Sequence, residues 1–279
     1  MKDRVLSGVT LVAFFMAIVV FNRSFPLALN IAIAFISALA VFEVIKALGL
    51  SDRWYITVPG MTAAVLVQFC EFQQANIFIY SVFTACIFCA LLRHHREITF
   101  KEMAVVYSMV VLIPLALQTI VLVRTLSDQH GMFYALVCVF SAWIPDAGAF
   151  FAGKLFGKHK LCPEISPKKT VEGLVGGLVV AVLGNIGMMA LITWLSSRGF
   201  GYLTAPLTLH FGRICLLTPV LALLSVVGDL SFSIIKRTYG IKDYGNLMPG
   251  HGGVLDRFDS VLFITPAVYY IAVHWPIAF

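Results

Sequence analysis

Residues 103–123 read MAVVYSMVVLIPLALQTIVLV, 21 residues without a charged side chain, bounded by Lys101 and Glu102 on one side and Arg124 on the other. At 1.5 Å per residue, about 20 residues of helix cross the roughly 30 Å hydrocarbon layer of a bilayer, so this run has the length of a membrane span. As an open strand it would leave backbone N–H and C=O groups unpaired in lipid, which dictates a helix. The same pattern repeats on both sides of it. Candidate spans are Val5–Phe21, Phe25–Ile45, Trp54–Cys70, Ala75–Leu92, Met103–Val123, Gly131–Phe151, Val171–Leu195, Phe211–Ile235 and Phe258–Phe279.

The composition agrees with this reading. Of 279 residues, 60% are apolar and 12% are charged, and the mean hydropathy is +0.93. A soluble domain carries about 25% charged residues. A disordered chain, a secreted disulfide scaffold and an ordinary soluble enzyme are excluded. The expected fold is an all-α integral membrane protein, a polytopic bundle of about nine transmembrane helices forming one domain. Residues 1–130 supply N-terminal spans, and residues 131–279 the catalytic spans and loops.

Sidedness follows from the basic residues. With nine spans, 16 of the 20 Lys and Arg fall on the side of the N-terminus, and only Arg23, Arg124, Arg198 and Arg213 on the other. Cytoplasmic loops carry the excess of Lys and Arg, so the N-terminus and the two long basic loops are expected in the cytoplasm. The net charge of +6 forms no single patch of the kind that holds nucleic acid. The first span has a basic flank but no small-residue cleavage site, and is read as a retained helix. Six cysteines sit mostly within apolar spans, and Cys86-x-x-Cys89 lacks a second pair, which favours core packing over redox or zinc chemistry. Pro59, Gly60 and Pro114 are expected to kink spans. Gly173, Gly176, Gly177, Gly184 and Gly187 are expected to let the seventh span approach a neighbour closely.

An ionisable group at membrane depth is costly and usually functional. Asp146 interrupts WIPDAGAFFAGKLFGK, Asp229 interrupts SVVGDLSFSIIKR, and Asp256 and Asp259 open the last span in HGGVLDRFDS. Asp229, Ser233 and Lys236 share one helical face, as do Asp256 and Asp259, while Arg257 points elsewhere. Carboxylates beside lysines suit a hard cation and phosphate, with Arg able to fork onto phosphate oxygens. The alternative is a set of salt bridges that only holds the bundle together. In Ser166–Gly173 (SPKKTVEG), Ser166 reads as an N-cap and Pro167 as the first helical residue, with Lys168 and Lys169 beside an anion-accepting helix end. Those lysines are otherwise cytoplasmic loop charge. Pro249–Gly253 (PGHGG) is a tight turn, with or without a ligand, and His251 lies within it. His94 and His95 are expected in solvent. Glu43 and Lys46, one turn apart, are expected to pair with each other. No GxxxxGK[ST], GxSxG or HExxH occurs, which removes the P-loop, common hydrolase and zinc-protease readings.

Ser233-Ile-Ile-Lys236-Arg237, four residues, Lys242-Asp243, and then Pro249 through Asp259 closely resemble the signature of the phosphatidate cytidylyltransferases. Gly228-Asp229 and the SPKKTVEG loop are similar to further motifs of that family. Met248, Ala147 and Phe150 depart from its commonest residues. The resemblance implies conversion of CTP and phosphatidate to CDP-diacylglycerol and pyrophosphate, with Mg²⁺ and room for a second cation. It implies catalytic roles for Asp229, Lys236, Asp256 and Asp259, and metal ligation by Asp229, Asp256 and Asp259. Phosphate binding would fall to Ser233, Lys236, Arg237 and Lys242, and the CTP pocket to Lys168, Lys169 and Thr170. Asp146, Ser166, Glu172, Asp243, His251, Gly252, Gly253 and Arg257 would complete the substrate-binding set. The resemblance implies a homodimer; the compact length without an organellar targeting signal suggests a bacterial plasma membrane, the basic loops put the active site on its cytoplasmic side, and no nucleic-acid partner is expected. The alternatives are a CTP-dependent lipid kinase of the polyprenol type and a transporter of an anionic substrate. No inverted repeat of the transporter kind is visible.

Overall fold

The computed structural model describes residues 17–18, 21, 24–127, 130–198, 208–247 and 252–278. Most of the first expected span, Val5–Phe21, lies outside them. The described helices are α1 (Leu27–Ala47), α2 (Trp54–Leu66), α3 (Gln73–Arg93), α4 (Phe100–Thr125), α5 (Gly131–Phe156), α6 (Val171–Ser197), α7 (Phe211–Thr238) and α8 (Leu255–His274). Six of them, α1 and α3 to α7, are long and apolar enough to cross a membrane. The protein is therefore a helical membrane protein. The chain forms two compact units, Met1–Val121 with Tyr239–Phe258, and Leu122–Thr238 with Asp259–Phe279.

In the first unit, α1 ends in a left-handed glycine. Gly49 has φ +73, and its N–H bonds to Lys46 O at 2.9 Å while Leu50 N–H reaches Ile45 O at 3.0 Å. Only glycine adopts this cap without a Cβ clash. The helical stretch in the expected span Trp54–Cys70 is shorter than the six long apolar helices. Helix α2 stops at Leu66 and runs into a 3₁₀ turn, Val67–Phe69. Its last carbonyls would be orphaned in an apolar surround. Side chains take them up: Gln118 Nε2 donates to Val67 O (2.7 Å) and Cys70 O (2.8 Å), and Asn30 Nδ2 donates to Gln68 O (2.8 Å). Gln68 Nε2 in turn donates to Pro114 O at 2.9 Å. Helix α4 opens with a capping box. Thr99 N–H donates to Glu102 Oε2 (2.8 Å) and Glu102 N–H to Thr99 Oγ1 (3.3 Å). Pro59 and Pro114 lie within continuous helices.

Three expectations in this unit change. His94 is half-buried and stacks on Tyr55 with ring centroids 3.9 Å apart and planes 5° apart; the aromatic face outcompetes water. Cys86 and Cys89 are exposed on α3 rather than packed in a core, since a lipid-facing helix surface accepts apolar thiols as readily as an interior does. Glu43 does not pair with Lys46, and its partners are described below.

In the second unit, α5 packs on α6, and α7 packs on both. At Gly177 of α6 a Cβ would lie 2.9 Å from Pro145 O of α5, and at Gly176 one would lie 2.2 Å from Ala152 Cβ. The small residues thus set the helix separation, as the spacing predicts. Gly173 and Gly184 are similarly close to α5, but Gly187 has open space around it and plays no such part. Asn185 of α6, fully buried, donates to Ser141 Oγ on α5 (3.3 Å) and Thr218 Oγ1 on α7 (3.2 Å), tying three helices together.

The helix that covers the expected ninth span, Phe258–Phe279, runs from Leu255 to His274 and is not among the six long and apolar enough to cross a membrane. Beyond it the chain turns back. Ile277 N–H and Ala278 N–H donate to Tyr134 Oη at 2.7 and 3.0 Å, and Leu209 bridges to Ala278.

The fold also contains strands that the apolar pattern does not announce. β1 (Lys160–Cys162) and β2 (Ser166–Thr170) pair antiparallel, Lys160 with Thr170 and Cys162 with Ser166. Ser166 is therefore not an N-cap, and Pro167 is not a first helical residue. The cap is Thr170, whose backbone is extended (φ −125, ψ 156) and whose Oγ1 accepts Gly173 N–H at 3.1 Å. Both hydroxyl residues can cap, and strand pairing with Cys162 reserves Ser166 for the hairpin.

Candidate active site

Within the second unit, the hairpin, α5, α7 and α8 bring charged side chains together. Gly228 lets α7 run close against α8: a Cβ there would stand 2.9 Å from Asp259 O and 3.0 Å from Phe263 Cδ2. The next residue, Asp229, forms an ion pair with Lys169 of β2, both side chains about three-quarters buried. Ser233, one turn on, donates to Asp229 Oδ1 at 3.4 Å. Lys236 follows on the same face and is 7% exposed.

Asp259 on α8 is 6% exposed and lies within the fields of Asp229, Lys236 and Asp146. Ser260 orders two of these acids. Its N–H donates to Asp259 Oδ1 at 2.7 Å, and its hydroxyl lies 3.3 Å from Asp146 Oδ2 and 3.4 Å from Asp259 Oδ1. The sequence expectation of one acid, one hydroxyl and one ammonium on a single face of α7 holds, and Lys169 and Asp146 join it. Ser260 went unrecognised; its signal was a hydroxyl adjoining an intramembrane aspartate.

The remaining expected residues of this unit have other partners. Glu172 faces the turn before β1: its carboxylate accepts Lys158 N–H (3.0 Å) and His159 N–H (3.2 Å), with His159 Nδ1 at 2.6 Å. Arg237 Nε donates to Ile165 O at 3.4 Å, tying the end of α7 to the hairpin. Ser166 is half-buried and Lys168 exposed.

In the first unit, backbone donors at Tyr244 and from Gly253 to Leu255 hold two carboxylates. Asp256 Oδ2 accepts Tyr244 N–H (2.8 Å) and Gly253 N–H (2.9 Å). Gly252 has φ +84, which the turn requires and glycine supplies. Glu43 of α1 accepts Val254 N–H at Oε1 (2.9 Å) and Leu255 N–H at Oε2 (2.8 Å), capping the first turn of α8. Sequence reasoning paired Glu43 with Lys46, because helical spacing sees only local partners. The true donors lie more than 200 residues away in the chain. Lys242 and Asp243 are exposed, and Arg257 is half-buried. His251, with Met248, Pro249 and Gly250, lies outside the described residues.

The donor chemistry suits a hard cation. Asp229 and Asp259 are carboxylates in one unit with Asp146 near, and Mg²⁺ takes one or two carboxylates plus substrate phosphates and water. Among the described residues no group of three or more His, Cys, Asp or Glu is placed to hold a metal ion, so the expected joint ligation by Asp229, Asp256 and Asp259 does not emerge as one cluster. Buried cations beside these acids supply the matching half for phosphate oxygens.

Comparison with known proteins agrees with this chemistry. The model of the cytidylyltransferase family matches residues 2–275. A phosphatidate cytidylyltransferase of Bacillus subtilis (strain 168) is 32% identical over 284 residues, covering 97% of each chain. One from Staphylococcus haemolyticus is 39% identical over 138 residues, 50% of this chain and 48% of that protein. One from Staphylococcus aureus (strain COL) is 38% identical over the same length. This chain belongs to the cytidylyltransferase family.

Proposed function

We propose that this protein is a phosphatidate cytidylyltransferase that converts CTP and phosphatidate to CDP-diacylglycerol and pyrophosphate. The observation that carries the reading is the buried set of Lys169, Asp229, Lys236 and Asp259 on one hairpin and two helix ends. A transporter site would not need it joined to the ordered motif that ends in Asp259. The family and the 97% coverage by the Bacillus relative support the same reaction.

A phosphatidate phosphate oxygen attacks the α-phosphorus of CTP in line, and pyrophosphate leaves. Such a displacement asks little covalent chemistry of a protein; positioning and charge stabilisation provide most of the acceleration. Lys236 and Lys169 hold phosphate oxygens, with Arg237 at the approach from water, and the resemblance adds phosphate binding by Lys242. Ser233 orients Asp229, and Ser260 orients Asp259. Asp229 and Asp259 are the residues that would hold Mg²⁺, which when bound neutralises charge on the phosphates. Asp256, with one oxygen committed to the backbone of Tyr244 and Gly253, shapes the turn before α8, and the resemblance adds metal ligation to that role.

The membrane frame is proposed as nine spans with the N-terminus in the cytoplasm, one membrane domain, a homodimer, and an active site facing the cytoplasm of a bacterial plasma membrane. CTP then arrives from water and the lipid phosphate from the interface, and the two meet at helix ends. The test is incubation of detergent-purified protein with Mg²⁺, phosphatidate and CTP labelled at the α-phosphate. Label in the lipid fraction is the expected result. Label confined to soluble CDP, with phosphate gained by the lipid, would make it a lipid kinase. Absence of turnover would leave the transporter reading.

A further inference from the structure

Glu43 lies near the end of α1, 5% exposed. A buried carboxylate is costly unless its charge is met by hydrogen bonds. Here it is met by backbone: Val254 N–H and Leu255 N–H each donate to a different oxygen, at 2.9 and 2.8 Å. These are the otherwise unsatisfied donors of the first turn of α8, where a negative charge is also favoured by the helix dipole.

The surrounding chain is shaped to admit this carboxylate. A Cβ on Gly245 would stand 2.4 Å from Glu43 Oε1, and one on Gly253 would stand 2.4 Å from Oε2. Glycine at both positions leaves the space the carboxylate fills. Asp256 grips the same segment from the other side, through Tyr244 N–H and Gly253 N–H. Two acids therefore hold four backbone donors, at Tyr244, Gly253, Val254 and Leu255, and the last three lead directly into Asp256 and Arg257.

We infer that Glu43 is a positioning residue for the cytidylyl transfer, fixing Val254, Leu255 and the start of α8 so that Asp256 is presented in one orientation. Glu43 touches no reacting atom in this role. The inference rests on the proposed reaction. A glutamine cannot replace it: one amide end would accept an N–H, while the other would point its own N–H at a donor.

The test compares wild type, Glu43→Gln, Glu43→Asp and Gly245→Ala as full-length purified protein, by steady-state kinetics in CTP and phosphatidate and by thermal melting. Gly245→Ala keeps the charge of Glu43 but pushes the carboxylate from its seat. Expected, in assays below the melting transition, is a fall in kcat of tenfold or more in Glu43→Gln and Gly245→Ala, larger than their loss of folded protein explains, with KM for both substrates within threefold of wild type. Glu43→Asp, which keeps the charge with a shorter reach, should fall between. Wild-type kcat in Glu43→Gln would overturn the inference. So would losses of activity that track the folded fraction in every variant, or failure of every variant to fold, because Glu43 would then be a structural group only. Lack of turnover by the wild type would instead overturn the reaction itself.

Discussion

Lys169, near the end of strand β2, forms an ion pair with Asp229 of α7. The pair joins a loop rich in lysine to an acid buried in an apolar helix, and each charge depends on the other for its low-dielectric setting. It also places an ammonium and a carboxylate side by side, the combination that phosphate and a divalent cation require.

Removing either partner should stop the reaction without unfolding the protein. Lys169→Met and Asp229→Asn are each expected to lower kcat/KM by about 100-fold, the usual effect of losing one major electrostatic contact in a site. Because the two act as a unit, the double variant should be scarcely slower than either single variant. Initial rates over a CTP series check this, and simple multiplication of the two effects would contradict it.

Chelation of divalent metal is expected to abolish turnover, and Mg²⁺ to restore it. Asp259→Asn should raise the Mg²⁺ concentration for half-activation by about 10- to 100-fold. Asp256→Asn is expected to retain less than about a tenth of the activity. If Asp256 only holds the turn, its Mg²⁺ requirement stays at the wild-type value; a shift matching that of Asp259→Asn would assign it to the metal. Full activity in EDTA would refute metal dependence.

Gly228→Ala introduces a methyl group 2.9 Å from Asp259 O and 3.0 Å from Phe263 Cδ2. Overpacking of this kind commonly costs about 1–3 kcal/mol, so a lower melting temperature is expected. Activity measured below the melting transition should fall as well, since the strain displaces the backbone of Asp259 itself.

Asn185 provides a contrast. Asn185→Leu removes the bonds to Ser141 and Thr218 and should destabilise the helix bundle by about 1 kcal/mol, typical of a polar contact between membrane helices. Its kcat and KM at low temperature should match wild type. A selective kinetic defect would mean that the α5–α6–α7 contact also shapes the site.

The proposed sidedness can be tested with single cysteines placed in a background lacking the native six. Lys158→Cys and Lys242→Cys should react with an impermeant maleimide only from the cytoplasmic face, and Arg198→Cys only from the opposite face. Reversed labelling would overturn the orientation.

Glu102 and Glu43 mark the limit of what can be read without the fold. The capping box of Thr99 and Glu102 is local, three residues apart, and went unread in the sequence although its partners are within reach of local spacing. The donors to Glu43 become neighbours only after the chain has folded. The same division separates Ser233, whose bond to Asp229 is one helical turn, from Lys169, whose ion pair with Asp229 spans the whole of α6 and part of α7.

By itself the sequence determined the membrane environment, because uncharged runs of about 20 residues have no other stable home. It also determined the register of α7, because a 3.6-residue period puts Asp229, Ser233 and Lys236 on one face. It determined the family through the order of polar residues from Ser233 to Asp259. Only the tertiary structure decided that Ser166 enters a strand and Thr170 caps α6. It alone showed that α2 stops short with its carbonyls held by Gln118 and Asn30, that Ser260 orders Asp146 and Asp259, and that Glu43 caps α8. Each of these is a choice among hydrogen-bond partners. Local spacing fixes which partners a residue can reach within its own helix, and packing alone fixes those it reaches across the fold.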